Sequence, residues 1–308
     1  MQAIIQLPAT ATDRTGSVHQ SAKSPPSSRH ARPPAAIIRE HRDRLDGPDS
    51  PMKLLALDTS TEQLSIAVRH GDRVWCHRGA GGAQASSHLI PAVLALLDQA
   101  GLSLTELDAL VVGRGPGSFT GLRTACAVAQ GLAYGSACDV LGVDTLMALA
   151  PPVLALDPGA TRVLAVLDAR MQQVYAAAYE RCDGAWHTVR PPGLYDPGDL
   201  SLPRDWREDP RVWISGNAGA LLGEAPGVLQ GAGGLVRHTL QCLPDAQALL
   251  ELAPEALLRG ERVTALDLQP LYLRDKVALT TQEREALKAS HAASVRTPLV
   301  HPAQEPTP

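Results

Sequence analysis

Two segments of this chain carry the residue types that phosphate or metal chemistry requires. Asp58-Thr59-Ser60 ends the apolar run Lys53–Leu57, and Gly113-Arg-Gly-Pro-Gly117 follows the run Leu107–Val112 and opens a helical pattern at Ser118. A carboxylate at the end of a buried strand commonly closes an Asx turn. Glycines at 113, 115 and 117 let the main chain approach another surface closely, and a helix starting near Ser118 offers free N–H groups to an anion. The competing reading of both segments is a tight connection between a strand and the next element. On these residues alone both readings stand, and they make Asp58, Thr59, Ser60, Gly115, Gly117 and Ser118 the candidate phosphate-loop positions.

Other chemistries lack their residues. No Gly-Lys-Ser/Thr occurs, so the loop is not a Walker A motif, and Ser118 stands where a dinucleotide fingerprint needs its third glycine. Ser118 also has Pro116 where a nucleophile elbow has glycine. Of the ten histidines the closest two, His70 and His77, are seven apart, so no HExxH or HxxxH metal pair exists. The five cysteines (76, 126, 138, 182 and 242) show no short paired spacing and read as reduced thiols in a cytoplasmic protein. Aromatic residues are 3% of the 308-residue chain, which argues against stacking platforms for single-stranded nucleic acid. Residues 52–280 carry 18 basic and 24 acidic residues, so RNA contact is expected only through a partner's positive surface. No apolar stretch approaches 18 residues, so no membrane span is expected.

The elements that must position these residues begin at Met52. Residues 1–51 hold seven prolines with many Ser and Arg, and are expected to be a disordered, dispensable extension. The polar, Pro-tipped stretch 281–308 is expected to be a loose tail. Between them strand and helix patterns alternate. Lys53–Leu57, Leu64–Val68 and Arg73–Cys76 read as strands, the last two around His70-Gly71-Asp72. Leu89–Ala100 reads as a helix with Pro91 in its first turn and Gly101 past its end, Leu107–Val112 as a buried strand, and Ser118–Tyr134 as a long helix. Val163–Leu167, Asp168, a turn at Arg170-Met171-Gln172 and Val174–Tyr179 then repeat the opening at 53–68. A duplicated α/β fold follows, with one domain over 52–155 and a second over 156–280, joined across Pro151–Ala160.

Helices 89–100 and 118–134 are apolar on more than one side, where a surface helix needs a single stripe. Either a third layer of the same chain or a helix-packed partner covers the second side. The partner reading names Leu94, Leu97, Gly121, Ala125, Val128 and Leu132 as interface residues, with Cys126 facing the sheet.

Met52–Val68, Gly113–Arg123, Ala129–Ala133, Leu141–Leu146, Leu167–Met171 and Pro270–Asp275, in this order, resemble the TsaB (YeaZ) family. The resemblance covers Met52 to about Thr280. It implies a duplicated actin-like (ASKHA, ribonuclease H-like) fold, in which an Asp at the place of Asp58 serves the metal–phosphate site. It also implies a non-catalytic subunit supporting a TsaD-like enzyme, which transfers threonylcarbamoyl to the N6 of adenosine in tRNA. The implied partners are that enzyme, a TsaE-like ATPase, and a second copy of the chain in their absence, with tRNA contacted only indirectly. No cofactor or metal is expected on the chain alone, and ATP or ADP only within the assembly. TsaD carries its metal pair in a Val-His-His-x-x-x-His context, where this chain has Val143-Asp144-Thr145-Leu146-Met147-Ala148-Leu149, so Thr145 and Leu149 occupy the ligand places. The alternatives from the enzyme class are an actin-like ATP-dependent phosphotransferase using Asp58-Thr59-Ser60 and a glycoprotease-like hydrolase.

Overall fold

The computed structural model describes residues 51–82, 85–207, 209, 211–222 and 238–274. The expectations for 1–50 and for the tail from 281 lie outside the described residues.

Strand β1 (Lys53–Asp58) pairs antiparallel with β2 (Gln63–His70), which pairs with β3 (Arg73–Ala80). Helix α1 (Ala85–Gln99) leads to β4 (Ala109–Gly113), and helix α2 (Phe119–Ser136) leads to β5 (Asp139–Val143). Both β4 and β5 add parallel to the sheet, whose order is β3-β2-β1-β4-β5. The second half repeats this plan. Strands β6 (Arg162–Asp168), β7 (Val174–Cys182) and β8 (Ala185–Tyr195) form the antiparallel part. β9 (Val212–Gly216), the one-turn helix α3 (Gly219–Leu222) and β10 (His238–Leu240) complete it, and β9 and β10 pair in parallel. Read from β8, the order β8-β7-β6-β9-β10 reproduces the first sheet position by position. This is the duplicated α/β fold that the sequence led us to expect.

The strand alternation assigns side chains to layers. In β1, Leu54 and Ala56 join Val163, Ala165 and Leu167 of β6 in a core shared by the two halves. Leu55 and Leu57 point the other way, into a core with α1 and α2. Leu164 and Val166 enter a third cluster around Trp206. β1, β4 and β6 are therefore near-continuous apolar runs, as strands covered on both faces must be.

Helix α4 (Ala246–Leu258) belongs by sequence to the second half, but it packs against β1, β2, β4 and β5 of the first sheet within the shared core. Asp245 caps it, accepting from Gln247 N at 2.7 Å, and also accepts from Arg78 Nε of β3 at 2.6 Å. The expected division near residue 155 falls between the sheets, while the layers themselves interlock.

Helix α1 starts at Ala85, earlier than the expected Leu89, so Pro91 lies inside the helix and not in its first turn. The reason is its buried stripe: Ala85, Leu89, Val93, Leu96, Leu97 and Ala100 recur at helical spacing, and Ala85 extends the stripe one turn back. Pro91 is exposed, where its ring meets solvent. Gly101 follows at φ +65° and takes the left-handed position that ends the helix.

Candidate functional site

The loop after β4 and the turn after β1 meet face to face. Asp58 and Thr59 are fully buried and Ser60 nearly so. Asp58 Oδ1 accepts from Ser60 N at 2.9 Å and from Ser60 Oγ at 2.6 Å, the Asx turn considered from the sequence. Thr59 Oγ1 donates to the carbonyl of Gly121 at 2.7 Å, and Ser118 N donates to the carbonyl of Ser60 at 2.6 Å. Ser118 also caps α2 with its hydroxyl, which accepts from Gly121 N at 3.4 Å.

The glycines make this contact possible. A Cβ on Gly113 would overlap the Asp58 carboxylate, one on Gly117 would lie 2.5 Å from the Ser60 carbonyl, and one on Gly121 would overlap the Thr59 carbonyl. Main chain therefore packs on main chain at two places and on the Asp58 carboxylate at a third, and the close approach that glycine allows is used within the protein. Gly115 has φ +120°, a region closed to other residues, and its N–H donates to Thr145 Oγ1 at 3.0 Å. Thr145 N returns a bond to the Gly115 carbonyl at 2.7 Å, and Thr145 Oγ1 donates to Asp58 Oδ2 at 3.4 Å. The six loop positions are thus brought together, with Thr145 as a member of the cluster. Burial pushes the Asp58 carboxyl up from 3.8 to about 6, against the lowering effect of the Ser60 and Thr145 bonds.

The second half has the same turn in polar form. Asp168 Oδ1 accepts from Arg170 N at 2.6 Å, and Asp168 N donates to Asn217 Oδ1 after β9 at 2.8 Å. Between the two turns a cleft of about 320 Å³ is lined by Ser60, Ser118, Asp168, Arg170, Tyr175 and Asn217. An ion pair of 4.0 Å between Arg170 and Glu62 crosses it. Among the described residues no group of three His, Cys, Asp or Glu stands where it could hold a metal. Thr145 and Leu149, the two positions that the resemblance sets against a metal pair, are both fully buried.

The candidate partner positions separate into three kinds. Leu94 is 48% exposed. Val128 and Leu132 are half-buried and rest on the core beneath α1 and α2. Leu97, Gly121 and Ala125 are buried in the chain's own fold, which corrects their placement on a free face. The buried stripe of α2 is wider than one row: Ala125 lies three residues after Leu122 and four before Ala129, inside the sheet-facing arc with Cys126 and Ala133. Gly121 is pinned under the Thr59 carbonyl. The exposed face of these helices instead presents Ile90, Leu94 and Ala95 from α1 and Ala127, Gly131 and Tyr134 from α2. A helical wheel rotated by one residue would have found Ala127, Gly131 and Tyr134.

Comparison with known proteins points one way. A family model described as "TsaD: tRNA N6-adenosine threonylcarbamoyltransferase" matches residues 82–281. The chain is 36% identical over 233 residues to the tRNA threonylcarbamoyladenosine biosynthesis protein TsaB of Escherichia coli K12, covering 74% of this chain and 96% of that protein. It is 33% identical over 238 residues to the TsaB protein of Haemophilus influenzae, covering 73% and 95%. The solved structure of YeaZ from Pseudomonas aeruginosa superimposes with a TM-score of 0.64 at 36% identity, over 72% of this chain and all of that one.

Proposed function

The chain belongs to the TsaB family, and from that premise we propose that it serves tRNA threonylcarbamoyladenosine biosynthesis as a non-catalytic subunit binding a TsaD-like enzyme. The observation that carries the non-catalytic part is the internal use of the phosphate-loop groups. The amide of Ser118 is spent on Ser60, that of Gly115 on Thr145, and the Asp58 carboxylate on Ser60 and Thr145. A phosphate would have to displace bonds that are already made, those of Asp58 and Gly115 at buried positions. A TsaD-type metal would have to bind where Thr145 and Leu149 fill the core.

The binding part is supported by the face of Ile90, Leu94, Ala127, Gly131 and Tyr134, which joins large apolar side chains to small ones on two adjacent helices. Small residues let a partner helix approach closely and large ones supply area removed from water. In this reading the TsaD-like enzyme takes the face, a second copy takes it when the enzyme is absent, and a TsaE-like ATPase joins the pair. ATP or ADP enters only with the assembly, and tRNA is met through the enzyme. All five cysteines are free, two of them exposed, which supports action in a reducing compartment such as the cytoplasm.

Co-expression with the TsaD homologue of the same genome, followed by size-exclusion chromatography, tests the reading. Co-elution is expected. Tight binding of ATP with Mg²⁺ by the isolated chain in isothermal titration would favour an actin-like phosphotransferase instead.

A further inference from the structure

The connection between β6 and β7 holds Arg170, Met171 and Gln172 at φ values of 63°, 55° and 59°. Three consecutive non-glycine residues in the left-handed region are costly and persist only where surrounding contacts over-determine them. Within the turn, Asp168 accepts from Arg170 N, and Gln173 N donates to the Arg170 carbonyl at 3.0 Å. The outer contacts come from the segment Leu271–Arg274. Arg274 Nη2 donates to the carbonyl of Ala169 at 3.0 Å and reaches that of Arg170 at 3.5 Å, while its Nη1 meets Met171 Sδ at 3.2 Å.

The other end of the same segment, Leu271 and Tyr272, grips the opposite wall of the cleft. Leu271 N donates to the Arg114 carbonyl at 2.7 Å. The Leu271 carbonyl sits so close to Gly115 that a Cβ there would be 2.6 Å away. The Tyr272 ring packs on Phe119 with centroids 5.1 Å apart, and its hydroxyl accepts from Arg123 Nε at 3.0 Å. Arg123 lies over the Phe119 ring at 3.9 Å, completing a stack of cation and two rings at the start of α2. Beneath the segment lies a hollow of about 270 Å³ bounded by Ser118, Met171 and Tyr175. Across the neighbouring cleft, the direct ion pair between Arg170 and Glu62 joins two exposed side chains at 4.0 Å and is weak.

We propose that Leu271–Arg274 is a tie that fixes the width of the cleft, coupling the β6–β7 turn of the second half to the 113–121 loop and the first turn of α2 in the first. With the tie in place the two walls open together or not at all. The inference rests on this geometry alone and is independent of the proposed partner.

Hydrogen exchange by mass spectrometry on the full chain, unmodified and as Arg274→Ala, tests it. Exchange is expected to accelerate by roughly tenfold both at 169–173 and at 113–121, with α4 at 246–258 unchanged. Tyr272→Ala should give the same two-sided pattern from the other end. Arg274→Lys, which keeps a single ammonium donor in place of the guanidinium fork, should give a smaller two-sided change and carries the comparison if the alanine variant does not fold. Acceleration confined to 169–173, no acceleration, or equal acceleration in α4 would each overturn the tie.

Discussion

The hydroxyl of Thr145 donates to Oδ2 of Asp58 at 3.4 Å, joining residues 87 apart in sequence, both without any exposure to solvent. Burial of the carboxylate at that contact makes the end of β1 sensitive to protons. Folding raises the Asp58 pKa from 3.8 to about 6, because burial penalises the carboxylate. The stabilisation of the protonated form is fully present below pH 3.8 and is lost as pH rises through 6. Asp58→Asn keeps the Ser60 bonds available without the charge. Its stability relative to the unmodified chain should therefore improve between pH 4.5 and pH 7.5, by about 2 kcal/mol. Urea unfolding of both proteins at the two pH values measures this, and a difference constant with pH counts against it.

Thr145→His with Leu149→His restores the residue types of a metal pair without the space for them. Leu149 is fully buried, and its side chain lies 3.2 Å from where a Cβ on Gly216 would be. The double variant should lose several kcal/mol, of the order expected for burying polar groups without partners. Added zinc should not raise its melting temperature. A zinc-dependent rise in differential scanning fluorimetry would show that the site is recoverable.

Two glycines of α2 should respond with opposite sign to the same change. Gly121→Ala forces a methyl into the Thr59 carbonyl and should cost about 3 kcal/mol, at the upper end for overpacking. Gly131 has nothing within 4 Å of an added Cβ, so Gly131→Ala should stabilise by about 0.8 kcal/mol through helix propensity. Thermal melts of the two variants decide it.

Leu94→Arg should leave the melting temperature within a degree or two, since an exposed side chain tolerates charge. It should abolish co-elution with the TsaD homologue. Cys126→Arg, at a position 3% exposed on the sheet-facing arc, should unfold the chain. Circular dichroism and size-exclusion chromatography together separate the two, and a Leu94→Arg chain that still co-elutes would remove α1 from the proposed interface.

What was legible in the sequence was what short-range pattern encodes. The apolar runs in Lys53–Asp58 and Arg162–Asp168, the Asx turn at Asp58, the turn after Asp168 and the helix opening near Ser118 all follow from neighbours within a few residues, and each is present. The glycine loop was legible as a place of close approach, but its partner was not, because the Thr59 and Ser60 carbonyls lie more than fifty residues away. The second apolar side read for α2 included two residues that the fold buries, Gly121 and Ala125, for a related reason. Alanine is small enough to be buried beside a larger neighbour, so Ala125 and Cys126 both fit beneath the helix. Nothing in the pattern of residues 271–274 announced that Arg274 would reach Ala169.

The return of α4 to the first sheet has a consequence for how the chain must be made. Ala246 N donates to Ser65 Oγ of β2 at 3.0 Å, a contact spanning 181 residues, and Leu249, Ala253 and Leu257 cover apolar side chains of β1 and β4. A nascent chain that has emerged only as far as residue 155 has all five strands of its first sheet but one apolar face with no cover. Such high-separation contacts slow folding and leave intermediates open to aggregation or chaperone capture. Synthesis must therefore pass the second sheet and reach Leu258 before the first can close.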